Sequence, residues 1–330
     1  MSKTYQVAGI GNAIVDVIST VDDHFLDHMG IRKGIMQLIE RERAETLFGA
    51  MRDRQEASGG SVCNTIAGVG ALGLKTALVG RVRDDSLGRF FAQDTERTGT
   101  AFVNPPVKGG ELPTSRSMIF VTPDGERSMN TYLGISSEVG PDDVDDAVMA
   151  DTEIVFLEGY LFDKDKGKEA FLKAARACHK GGGRVGIALS DPFCVDRHRA
   201  DFRRLVADEM DYVIGNEKEW TSLYQVNDLD EALALAARDC GIVVCTRSGD
   251  PVVVIKDGHR VEAPVNTRIP VDATGAGDQF AAGFLYGLVT GRSMETCGRM
   301  GNIAAAEVIG HIGARPRADI HALFKAEGLV

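Results

Sequence analysis

The sequence predicts an α/β protein: a central, mainly parallel sheet flanked by helices, with a small β-sheet beside it. Two patterns carry that expectation. From about residue 150 onward, runs that are apolar throughout alternate with helical stretches, as in a parallel sheet covered on both faces. In the N-terminal half the runs are β-type, and two of them are joined by a tight turn. A length of 330 residues fits one large α/β domain with such an appendage.

Taken in order, Val15–Val21 and Ile35–Ile39 read as strands, followed by a small-residue helix over Ser61–Ala67 and a strand at Thr76–Val79. Ser117–Thr122 and Ser128–Leu133 form a hairpin through the turn Pro123-Asp124-Gly125. The strands of the body follow at Ile154–Leu157, Val185–Leu189, Tyr212–Ile214, Ile242–Cys245 and Val252–Ile255. The intervening helix Lys164–His179 carries Ala170, Phe171, Ala174 and Ala175 on one face. The whole chain, 1–330, is expected to form one domain, with the small sheet a lid assembled from about 13–40 and 102–134.

Composition narrows the function classes. The chain is 44% hydrophobic and 26% charged, which is ordinary for a globular protein, and its net charge of −11 argues against a nucleic-acid partner. The longest apolar stretch, Phe280–Val289, falls short of the roughly 20 residues a spanning helix needs, so no membrane partner is expected. With no secretory signal pattern at the N-terminus, the expected location is the cytoplasm. The six cysteines lack metal or redox spacing and read as structural thiols. The acidic run Asp142, Asp143, Asp145, Asp146 after Pro141 reads as a solvated helix start.

Gly68-Val-Gly-Ala-Leu-Gly73 matches the dinucleotide fingerprint by letter, but its strand comes after it rather than before. It reads as a helix end packed closely on the sheet. Val271-Asp272-Ala273-Thr274-Gly275-Ala276-Gly277-Asp278 is more informative, because a glycine-rich turn leads straight into an apolar helix. Free N–H groups at that helix end suit a phosphate, and Asp278 in the first turn could take a proton from an attacking hydroxyl. A plain capping carboxylate has the same spacing. Gly59-Gly60-Ser61 ahead of Asn64 allows close ligand approach, and Asp16 is a lone carboxylate among apolar strand residues. Asn216-Glu217-Lys218-Glu219 closes a parallel strand, the usual ligand side of an open α/β sheet.

Together, Gly59-Gly60-Ser61-Val62-Cys63-Asn64, Asp272 to Asp278, the N-x-x-E pair Asn216 and Glu219, and Thr246-Arg247-Ser248-Gly249 resemble the ribokinase (PfkB-type) family of carbohydrate and nucleoside kinases, from about Val7 to Arg315. Gly11-Asn12 to Asp16, Arg127-Ser128 and Pro192-Phe193 are similar to its adenosine kinase branch. That branch tends to carry paired aromatics after the residue corresponding to Gly159; here the pair is Tyr160-Leu161.

The resemblance implies a ribokinase-like fold and phosphoryl transfer from ATP to a primary hydroxyl, with a small-molecule nucleoside or sugar as acceptor. Asp278 is then the general base, the N–H groups of Gly275, Ala276 and Gly277 hold the developing charge, and Arg127 closes over the phosphates. Asn12, Asp16, Gly59, Gly60, Ser61 and Asn64 bind the acceptor's hydroxyls, while Gln37 and Leu161 line its base pocket. Asn216, Thr246, Gly249, Thr274 and Asn302 contact the nucleotide, and Asn216 with Glu219 orients Mg²⁺ through its waters. Asp272 corresponds to a monovalent-cation loop, which leaves K⁺ dependence open. The rival readings are a kinase for ribose, fructose or 2-keto-3-deoxygluconate, and a nucleoside-binding protein without turnover. A monomer and a lid-mediated dimer both fit the sequence.

Overall fold

The computed structural model describes residues 3–265 and 268–330. Its strands are β1 (Tyr5–Ile10), β2 (Ile14–Thr20), β3 (Met36–Leu38), β4 (Gln55–Gly59), β5 (Thr76–Val79), β6 (Thr100–Phe102), β7 (Ser115–Val121), β8 (Arg127–Tyr132), β9 (Thr152–Glu158), β10 (Arg184–Ala188), β11 (Tyr212–Asn216), β12 (Ile242–Arg247), β13 (Asp250–Lys256) and β14 (His259–Ala263). The large sheet runs β14-β13-β12-β11-β10-β9-β1-β5-β6, parallel from β6 through β12, with β13 and β14 added antiparallel. This is the expected mixed α/β architecture with a mostly parallel sheet and a second sheet.

Period-two alternation divides the large sheet between two apolar layers. Ala8, Ile10, Val155 and Leu157 face one core, whereas Val7, Ile154 and Phe156 face the other. The first core is closed by the helix Asp165–Lys180, which buries Ala170, Phe171, Ala174 and Ala175 as its spacing predicts. Each large side chain removed from water this way contributes about 1.5–3 kcal/mol. All six cysteines are buried free thiols. Among the described residues, no helix is long and apolar enough to cross a membrane.

The second sheet, β3-β8-β7-β2-β4, follows directly from β1, since only Gly11, Asn12 and Ala13 separate Ile10 from β2. The expected segments supply β2, β3, β7 and β8, and Gln55–Gly59 adds β4 antiparallel to β2. The strand expected over Ile35–Ile39 shortens to three residues.

The Gly68–Gly73 stretch lies at the C-terminal part and end of the helix Ser61–Ala71, ahead of β5, as expected for a non-dinucleotide motif. Gly70 packs on the sheet, where a Cβ would stand 3.2 Å from Thr76 Oγ1, while Gly68 packs on another helix. A Cβ there would stand 2.4 Å from Gln279 Oε1 and 2.8 Å from Ala282 Cβ, so glycine lets Ser61–Ala71 lie against Ala276–Val289. In the acidic run at residues 142–146, Asp143 accepts from the Gly140 N–H and pairs with Arg81 at 3.3 Å, and Asp145 caps the helix Asp146–Ala150.

Candidate active site

Strand order reverses at β1, which has β5 on one side and β9 on the other. A crevice opens at the carboxyl ends of the strands at such a point. Here it is a cavity of about 730 Å³ between the large sheet and the second sheet. Asn12, just past β1, is bonded across the reversal to Glu158 at the end of β9: its backbone N–H and its Nδ2 both donate to Glu158 Oε1 at 2.7 Å. Val62 N–H donates to Glu158 Oε2 at 3.0 Å, and Ser136 Oγ donates to Asn12 Oδ1 at 2.8 Å. Burial pushes Glu158 up to about 7, against the pull of those N–H donors. Sequence reasoning passed over Glu158, although a carboxylate ending a strand that is otherwise apolar in its last five residues was a visible signal.

Asp278 stands in the first turn of the helix Ala276–Val289. Its Oδ1 accepts from Ser61 Oγ at 2.7 Å and its Oδ2 from Asn64 Nδ2 at 3.0 Å, so the two glycine-led helices meet at this carboxylate. Enclosure by the cavity walls raises it to about 6, opposed by those two donors. Gly275, at φ +80°, caps the helix in the left-handed region, and a Cβ there would lie 2.6 Å from Ala314 Cα. The N–H groups of Gly275, Gly277 and Asp278 have no protein acceptor among the described residues. The Ala276 N–H donates to Ala273 O at 3.2 Å, which corrects its expected place in the anion hole. The Asp278 N–H is open beside those of Gly275 and Gly277, at a helix end whose dipole favours negative charge.

Asp16 enters from β2. Its carboxylate has no hydrogen-bond partner among the described residues, although it lines the cavity. Desolvation raises it to about 6; Arg127 and Arg315 oppose the shift and Asp278 adds to it. The backbone is shaped around this group. A Cβ at Gly59 would stand 2.6 Å from the Asp16 carboxyl, and at Gly60, with φ +99°, one would stand 2.1 Å from Asn12 O.

A Gly-Gly-Ser turn, a helix-end anion hole and a carboxylate beside it therefore share one cavity. The profile of pfkB family carbohydrate kinases matches residues 10–320. The chain belongs to that family. It is similar to a probable sugar kinase from Rhizobium etli, 46% identical over 99% of this chain and 100% of that one, with a TM-score of 0.90. An adenosine kinase from Sinorhizobium meliloti is 47% identical over 98% and 99% of the two chains, with a TM-score of 0.89. An uncharacterized sugar kinase from Archaeoglobus fulgidus is 30% identical over 75% of this chain and 96% of its own length. The protein is thus a ribokinase-like kinase acting on sugars or nucleosides, a phosphotransferase with an alcohol acceptor that uses ATP.

Within this pfkB kinase, Asn216 and Glu219 form a reciprocal cap on the helix Glu217–Tyr224. Glu219 Oε2 accepts from Asn216 N–H at 2.8 Å, Glu219 Oε1 accepts from Asn216 Nδ2 at 2.7 Å, and Asn216 Oδ1 accepts from Glu219 N–H at 3.0 Å. Glu219 is 5% exposed, and burial raises it to about 7. Among the described residues, no three His, Cys, Asp or Glu side chains converge closely enough to hold a metal ion by themselves. This donor set fits a Mg²⁺ carried by phosphates and water, with Glu219 and Asn216 behind the water shell. Thr246 and Thr274 also line the cavity, while Gly249 lies in the turn between β12 and β13.

Five further expectations change. Leu161 is 2% exposed and packs in the first core, because the turn Gly159–Asp163 directs it inward. Tyr160 faces the cavity instead, its hydroxyl donating to Ser190 O at 3.1 Å, and Phe193 joins it at 73% exposure. The aromatic wall is therefore kept. Gln37 does not line the cavity: strand alternation gives that face to Met36 and Leu38, and Gln37 Nε2 donates to Asn130 Oδ1 at 2.7 Å. Asn302 holds the end of β14, donating to Ala263 O and Pro264 O rather than to a nucleotide. Asp272 is already engaged by three protein donors: Thr274 N–H at 2.9 Å, Gly313 N–H at 3.0 Å and the Arg127 guanidinium at 2.5 Å. Those donors hold it below the usual carboxylate range against the effect of burial. Arg127 accordingly sits on Asp272, with both side chains under 10% exposed, and not over the anion hole.

Proposed function

We propose that this kinase transfers the γ-phosphoryl group of ATP to the 5′-hydroxyl of a ribonucleoside, adenosine first among them. The observation that carries this reading is the pair of carboxylates in one cavity. Asp278 is held by two donors beside an anion hole, and Asp16 has unspent acceptors for a ligand's hydroxyls. Met36, Leu38, Tyr160 and Phe193 give the same cavity the apolar and aromatic walls a flat base requires. The 47% identical relative is named an adenosine kinase.

Asp278 takes the proton of the attacking hydroxyl, and the N–H groups of Gly275, Gly277 and Asp278 hold the charge that develops on the moving phosphoryl. Asp16, the backbone at Gly60 and Asn64 hold the ribose in line. Mg²⁺, when bound, neutralises phosphate charge. Closure of the second sheet over the acceptor excludes water as a competing acceptor.

A sugar kinase is the second reading, favoured by the relatives named as sugar kinases. The test is ATP-dependent phosphorylation of adenosine, inosine, guanosine, cytidine, ribose, fructose and 2-keto-3-deoxygluconate, with Mg²⁺ and with or without K⁺. Preference for adenosine is expected. Preference for a free sugar overturns the nucleoside assignment and leaves Asp278 in place.

A further inference from the structure

Among the described residues, six carboxylates line the cavity, those of Asp16, Glu158, Asp163, Asp191, Glu219 and Asp278, against one cationic side chain, Arg197. That guanidinium is already engaged. Arg197 Nη2 donates to both oxygens of Asp163 at 3.0 Å, and Nε reaches Oδ1 at 3.2 Å. His198 Nε2 lies 2.8 Å from the same Oδ1. Neighbours on a regular helix point about 100° apart. Here the helix Pro192–Glu209 breaks at His198 (φ −123°, ψ 23°), and both side chains reach one carboxylate. The cations behind Asp16 are engaged as well, Arg127 on Asp272 and Arg315 beside Asp94.

We propose that Asp163 sets the charge class of the acceptor: by holding Arg197 it leaves the cavity without a free cation, so the enzyme takes uncharged acceptors and rejects anionic ones. Asp163 closes the turn that also carries Tyr160, and Arg197 shares a helix with Phe193, so the pair stands at the aromatic end of the cavity. An acceptor bearing a carboxylate or an ionised base meets carboxylates and no unengaged cation there, which costs affinity without any steric clash. Release of Arg197 would supply the missing partner, since a guanidinium binds planar anions through paired donors.

This inference rests on the nucleoside reading, and inosine against xanthosine tests it, because the two share a skeleton and only the xanthine base is an anion at neutral pH. The wild-type enzyme is expected to favour inosine by about tenfold or more in kcat/KM. Asp163→Asn, which keeps the side chain's shape and removes its charge, should narrow that ratio severalfold, and adding Arg197→Gln should restore it. A wild-type enzyme with no preference, or a ratio unmoved by Asp163→Asn, overturns the proposal. If the chain phosphorylates fructose and no nucleoside, only the nucleoside reading falls. Fructose against 2-keto-3-deoxygluconate then reads the same ratio in the same three proteins.

Discussion

Two of the cavity's carboxylates, one from a helix on the large sheet and one from the second sheet, are held in opposite ways. Asp278, placed by a body helix, is held by Ser61 Oγ and Asn64 Nδ2. Asp16, placed by β2, has no protein donor among the described residues, and a Cβ at Gly59 would crowd it. Burial raises both to about 6, yet what opposes the rise differs: two hydrogen bonds restrain Asp278, whereas Arg127 and Arg315 act on Asp16 through space. A carboxylate with fixed partners is aimed, as a base must be. One without them has its acceptors free for a ligand's hydroxyls.

The strongest way to break this contrast is Asp278→Asn. Turnover should fall by roughly 10²–10⁴, the share of a general base, while the Kd for ATP measured by calorimetry stays near the wild-type value. Asp16→Ala comes next. Losing hydrogen bonds to a charged acceptor costs about 1.5–3 kcal/mol, or roughly 10- to 150-fold in kcat/KM for the acceptor. Steady-state kinetics with the acceptor varied should place that loss mainly in KM, and a loss confined to ATP affinity would contradict the placement of the acceptor.

Glu158 sharpens the contrast with a smaller effect, on stability. Its folded value of about 7 lies above the ordinary 4.5, so the folded state binds the proton more tightly than the unfolded one. The stability this gives is full below about 4.5 and is lost as pH rises through about 7. Glu158→Gln mimics the protonated form, so its Tm relative to the wild type should rise across that window. A constant difference in Tm would mean that Glu158 does not titrate there.

The body was more legible than the second sheet, for a physical reason. Strands buried on both faces, such as Ile154–Leu157 and Ile242–Cys245, are apolar at every position and announce themselves. The turn before Asp278 was visible because a left-handed cap at Gly275 needs glycine. In the second sheet one face is open, so a neighbour in sequence points the opposite way, and Gln37 lost the cavity to Met36 and Leu38. The same difficulty put Tyr160 rather than Leu161 on the cavity, since a single 3₁₀ turn has too little periodicity to assign faces. Asp272 and Asn302 had the right residue type for ligands, but their partners, Arg127 and the carbonyls of Ala263 and Pro264, lie far away in sequence.

Asp278 as the titrating base is the central claim, and the pH dependence of kcat tests it most directly. Activity needs the carboxylate, so kcat should rise with pH along an acid limb and then level. Ser61→Ala removes a donor that favours the ionised form, and the acid limb should move to higher pH. A limb that stays in place in Ser61→Ala, or that survives in the residual activity of Asp278→Asn, would assign the proton to another group.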